Sequence, residues 1–96
     1  METKLVYVLT SFWHTEYCGA DSNVIGVFTS KERAIEQMKK CVMDEIINGS
    51  LFEDGEPAPN TVVEDDIENG SWCAYDDGNY LCDSSEFYVR EVVLYE

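Results

Sequence analysis

The segment "KLVYVLTSF" (Lys4 to Phe12) places apolar side chains on both faces of an extended backbone. Leu5, Tyr7 and Leu9 point one way, and Val6, Val8 and Phe12 the other. A strand apolar on both sides belongs inside a sheet rather than at its edge. "WHTEYCGADS" breaks the pattern and reads as a loop, and "NVIGVF" (Asn23 to Phe28) reads as a second strand, with Gly26 marking a bulge or a close approach. After Phe28 the period changes. Thr29 with Glu32 three residues on forms a capping box, and Ala34, Ile35, Met38, Cys41, Val42 and Ile46 then recur at helical spacing. Gly49 is expected to close this helix, about residues 30–47, in a left-handed conformation.

Residues 50–71 carry two prolines and the breaks at Gly55 and Asn69-Gly70, which predicts a long acidic loop with at most a brief strand at Val62 and Val63. "SWCAYDDGNYLCDS" follows as a hairpin over about 72–83. Asp77-Gly78 suits a two-residue turn in which both central positions need positive φ. That register sets Tyr75 opposite Tyr80 and Cys73 opposite Cys82. The two cysteines would be close enough for a cross-strand disulfide, although a reducing compartment favours two thiols. "EFYVREVVLYE" (Glu86 to Glu96) is a closing strand with Phe87, Val89 and Val93 on one face and Tyr88, Val92 and Leu94 on the other. The order predicts an α+β fold: a small antiparallel or mixed sheet of about four to five strands, one main helix on one face, and the last strand beside the first. Residues 1–96 fit a single domain.

"LVYVLTS" followed by "VIGVFTSKERAIE" resembles small uncharacterised bacterial and phage domains, which open on a hydrophobic strand and run from strand to helix through a GVF-S/T-S-K-E-K-A type motif. The resemblance covers residues 4–40 and, more loosely, the closing strand. It implies a small α+β fold and no particular activity. Residues 53–86 are where this chain departs from the pattern.

Charge changes the picture most. Residues 1–40 carry five acids and five bases, whereas residues 41–96 carry fifteen acids and one base, Arg90. The whole net charge of −14 therefore belongs to the second half. Area scaling gives a domain of 11.0 kDa about 5,600 Å² of surface. Spread over the acidic half, the charge comes to about one per 200 Å², against about one per 110 Å² for duplex DNA. The aromatic residues in the same segment argue against a disordered acidic tail.

Chemistry-bearing motifs are absent: there is no phosphate-binding loop, no dinucleotide fingerprint and no nucleophile elbow. His14 and Cys18 stand four apart, but a solvated loop histidine is the expected reading. The paired carboxylates Asp65–Asp66 and Asp76–Asp77 fail the spacing of an EF-hand loop. With one histidine and no C-x-x-C pair, no metal site, cofactor or catalytic residue is expected. The N-terminal stretch lacks a basic n-region and cleavage site, so a cytoplasmic protein is expected.

These features point to a non-enzymatic, acidic protein-binding inhibitor that imitates nucleic acid. Its partner would be the basic groove of a host nuclease, restriction enzyme or CRISPR effector, with no direct contact to nucleic acid or membrane. Its composition is similar to that of DNA-mimic inhibitors, anti-CRISPR proteins among them, which implies a phage or mobile-element source. The expected partner-binding residues are Glu53, Asp54, Glu56, Glu64, Asp65, Asp66, Glu68, Asp76, Asp77, Asp83 and Glu86, with Trp72, Tyr75 and Tyr80 as apolar anchors. The alternative is an acidic accessory domain whose charge serves solubility alone. A homodimer through Lys4 to Phe12 is compatible with either.

Overall fold

The computed structural model describes residues 3–15, 19–77 and 83–95. Strands β1 (Thr3–Thr15) and β2 (Gly19–Phe28) precede helix α1 (Lys31–Asn48). Two short strands, β3 (Phe52–Glu53) and β4 (Glu56–Pro57), then lead into β5 (Thr61–Asp66). A 3₁₀ turn at Ile67–Asn69 connects β5 to β6 (Ser71–Asp76), and β7 (Ser84–Tyr95) closes the chain. The main sheet is antiparallel in the order β2-β1-β7-β6-β5, with β3 and β4 forming a separate ribbon. The fold is α+β, with β1 inside the sheet and β7 beside it, as the apolar pattern requires.

One face of the sheet is covered by α1. Leu9, Met38, Val42, Leu51, Trp72, Ala74 and Phe87 form the core between the layers, with Ile35, Cys41, Ile46, Val63 and Val89 packed around them. The helical spacing of Ala34, Met38 and Val42 is what turns their side chains together onto the sheet. An 18-residue helix is about 27 Å long, whereas the 13 residues of β1 extend about 43 Å. The helix is therefore too short to cover the strands. Leu5, Val93 and Tyr95 at the far end of the β1–β7 ribbon stay 47%, 43% and 68% exposed.

Several local expectations are corrected. The helix is capped by Ser30, not Thr29: the Ser30 hydroxyl accepts from the Arg33 N–H at 3.4 Å and donates to the Glu32 carboxylate at 2.8 Å. Glu32 thus sits one residue too early for a capping box; its own backbone N–H and the Ser30 hydroxyl hold its carboxyl below the usual range. Gly49 is extended (φ −77°, ψ 152°) rather than left-handed. A glycine suits it because a Cβ there would lie 2.5 Å from the Glu45 carbonyl oxygen, to which the Gly49 N–H donates. His14 is on a strand, not in a loop, because β1 runs on to Thr15 and β2 starts at Gly19. Gly26 does flank a bulge: Leu9 pairs with Gly26 and Thr10 with Val24, leaving Ile25 as the extra residue.

The predicted long loop is largely structured. Asp54 and Gly55, with φ of 52° and 80°, make the two-residue turn between β3 and β4, where both central positions are left-handed. Thr61, Val62 and Val63 begin a six-residue edge strand. Gly70 (φ 84°) then turns the chain into β6 under Val89, whose N–H donates to the Gly70 carbonyl at 2.9 Å.

The hairpin register also differs. β6 pairs Cys73 with Glu86 and Tyr75 with Ser84, not with Cys82 and Tyr80. The Asp76 N–H donates to the Asp83 carbonyl at 3.0 Å, so the connection is longer than two residues. Cys73 is a free thiol, which removes the disulfide. The turn expected at Asp77-Gly78, together with Tyr80 and Cys82, falls outside the described residues. Among the described residues no helix is long and apolar enough to cross a membrane.

Candidate acidic interface

Because strand side chains alternate, the register of the sheet decides which carboxylates share a surface. β5 is an edge strand, and it splits its acids. Glu64 and Asp66 project to the face away from α1, while Asp65, opposite Trp72, projects to the helix side. Two of the three are engaged locally: Asp65 accepts from the Ile67 N–H at 3.2 Å, and Asp66 from the Asn69 amide at 2.8 Å. Glu53, Asp54 and Glu56 are exposed on the β3–β4 ribbon. Asp76, Asp77 and Asp83 gather at the end of β6, tied back to β5 by a 2.8 Å hydrogen bond from the Asp77 N–H to the Asn60 carbonyl.

Glu86 belongs to the uncovered face, and with its neighbours it forms the most developed cluster there. One cross-strand row runs Ser22, Phe12, Glu86, Cys73, Glu64 from β2 to β5; the next runs Val24, Thr10, Tyr88, Ser71, Asp66. The Cys73 thiol donates to the Glu64 carboxylate at 3.4 Å, and the Tyr88 hydroxyl to Glu86 at 2.7 Å. Phe12 meets the Tyr88 ring edge-on, centroids 5.8 Å apart. Burial, the hydrogen bond to Glu64 and the charges of Glu64 and Glu86 push the Cys73 thiol up to about 11. The hydrogen bond to Glu86, with burial and the same carboxylates, pushes Tyr88 up to about 12. Tyr75 is raised by desolvation and then by Glu64 and Asp77. All three groups report one negative potential over the β5–β6 side of this face, and all three stay protonated at neutral pH. The cluster offers hydrogen-bond donors beside fixed negative charge, and no activated nucleophile.

The structure separates the expected residues into groups. Glu64, Asp66 and Glu86 share the uncovered face, Asp76, Asp77 and Asp83 lie at the end of β6, and Glu53, Asp54 and Glu56 are exposed on the β3–β4 ribbon, in a stretch with no lysine or arginine between Lys40 and Arg90. Asp65 faces the other way. Glu68 stands apart, in a cleft beside Lys31 and Lys39 of α1. Trp72, expected as a surface anchor, is 1% exposed and packs between Phe52 and Phe87 in the core. A side chain buried so far contacts no partner. Phe12, Tyr75 and Tyr88 are the aromatic groups that the register sets on the uncovered face among the described residues, so Tyr75 keeps a place there while Trp72 does not. Alternation along β1 and β7 was the sequence signal for Phe12 and Tyr88. Among the described residues no three His, Cys, Asp or Glu side chains converge to hold a metal.

No protein-family model, curated protein or solved structure matches this chain.

Proposed function

We propose that this chain is an acidic binding protein that occupies the basic groove of a nucleic-acid-handling protein, in the manner of an inhibitor that imitates nucleic acid. One observation carries the reading: the chain supplies no lysine or arginine between Lys40 and Arg90, a stretch in which Glu64 and Asp66 share the uncovered face with Glu86 while Glu53, Asp54 and Glu56 are exposed on the β3–β4 ribbon. A domain whose charge serves solubility alone intersperses both signs over its surface. The molecule measures 51 × 24 × 17 Å, and its width is close to the roughly 20 Å of a duplex. A nuclease, restriction enzyme or CRISPR effector is the class of target, and a phage or mobile element the class of source that the resemblance of residues 4–40 favours. The accessory-domain reading draws support from the burial of Trp72 and from the local hydrogen bonds that occupy Asp65 and Asp66.

The test is capture from a bacterial lysate at low salt, identification of the retained protein, and competition between the chain and that protein's DNA or RNA. Competition should weaken steeply with salt. Reversing Glu53, Glu56 and Glu64 to lysine should abolish it while thermal unfolding stays cooperative. Reversals that compete as well as the parent would sink the reading.

A further inference from the structure

The uncovered face of the sheet is half apolar. Register and alternation place Val8, Val24, Val27 and Val92 on this face, continuous with Phe12, beside a Val6 that is buried. Val24 and Val27 are 64% and 61% exposed, and Phe12 and Val92 38% each. A sheet face left to water normally alternates to polar side chains. Here the acids gather on the β5–β6 side, at Glu64, Asp66 and Glu86 with Ser71 and Cys73, while the valines of the other half are interrupted by Thr10, Ser22 and the cations Arg90 (opposite Val8) and Lys4 (opposite Leu94). The face therefore has a valine-rich half, carrying no acid among these positions, beside a negative half, joined where Phe12 meets Tyr88.

We infer that this face docks a cationic amphipathic segment of a protein, apolar side chains on the β2–β1–β7 half and lysines or arginines against Glu64, Asp66 and Glu86. The inference deepens the proposed function and rests on it for the partner's positive charge. Complementarity selects this occupant over a second copy, because a copy would bring another −14 charges to a face whose β5–β6 side is already negative. Nucleic acid is excluded by the same sign. The apolar half makes part of the contact insensitive to salt, which separates it from a purely electrostatic decoy.

The probe is a synthetic helical peptide of alternating Leu and Lys patches, compared with an oligolysine of equal charge. Binding is followed by fluorescence anisotropy and by amide and methyl shifts of the whole chain. The peptide should shift Val8, Val24, Val27, Val92 and Glu86, and should retain binding at about 500 mM salt where oligolysine is lost. Val24→Thr with Val27→Thr should weaken the peptide at least about tenfold, leaving oligolysine unchanged. Both side chains are exposed on an edge strand, so folding is preserved, and unchanged melting confirms it. Equal binding of the two probes, shifts confined to α1 or to β3–β4, or a concentration-dependent dimer that hides the same methyls would each overturn the inference. If the peptide maps to this face while the chain fails to displace nucleic acid from its captured partner, the inhibitor reading falls and the docking face stands. The reverse outcome removes only the docking face.

Discussion

Cys73 is held as a thiol by the groups around it: burial disfavours its thiolate, Glu64 accepts its proton in a hydrogen bond, and Glu64 and Glu86 repel the anion. Raising an ordinary thiol from 9.0 to about 11 lowers its thiolate fraction at pH 8 by roughly a hundredfold. Alkylation of Cys73 by iodoacetamide, read from its peptide by mass spectrometry, should be slower by about that factor in the folded chain than in denaturant. Glu64→Gln should recover part of the rate, since it removes one charge and weakens the acceptor. Equal rates in the folded and unfolded chain would show that the carboxylates do not act on the thiol. The sign is that of a raised group: the protonated thiol stabilises the fold below its unfolded value, and that contribution is lost as pH climbs from 9.0 to about 11. Tyr88, pushed up to about 12 by Glu86, follows the same direction at higher pH.

At the scale of elements, two left-handed glycines make different demands. Gly55 (φ 80°) has nothing within 4 Å of a built Cβ, whereas at Gly70 (φ 84°) a Cβ would lie 3.0 Å from the Val89 carbonyl oxygen. Gly55→Ala should cost about 1 kcal/mol of backbone strain. Gly70→Ala should cost more, because the clash adds to the same torsional term; urea denaturation measures both. The elements themselves were legible where a period repeats. Helix α1 and strand β7 follow from spacing alone, and the division of Phe87 and Val89 from Tyr88 and Val92 was visible in the alternation. Asp54-Gly55 carried the same turn signal as Asp77-Gly78, yet β3 and β4 are two residues each, too short for any periodicity to announce them. The Asp77-Gly78 signal does not fix the β6–β7 register, which pairs Cys73 with Glu86 and Tyr75 with Ser84. The ladder that pairs Trp72 with Phe87 instead places both rings in the core.

The whole molecule is elongated. Its radius of gyration is 14.9 Å, against about 12.5 Å for a compact chain of this length. Its surface of 6518 Å² exceeds the roughly 5,600 Å² expected from mass. Strands longer than the helix that covers them account for both. Elongation spaces the charges out, but a net −14 still repels itself in the folded state. Raising sodium chloride from about 10 to about 300 mM should therefore raise the melting temperature, by screening that repulsion. A midpoint that falls or stays fixed would mean the acids are compensated locally. Of the candidate interface, the residues that carry charge were readable, since sequence shows where cations are missing. Trp72 was not, because an aromatic in an acidic segment looks the same whether it faces water or the core.

The chain alone determined the helix, the interior place of the first strand, the pairing of the first strand with the last, and the segregation of negative charge. Each depends on local periodicity or on simple counting. The tertiary structure decided which face α1 covers, and with it whether Trp72 or Tyr88 is exposed, and the register decided that Glu64 meets Cys73 and Glu86 across the sheet. Alternation along a strand sorts side chains into two sets but gives neither set a side. Only the packing of one helix against one face makes that choice.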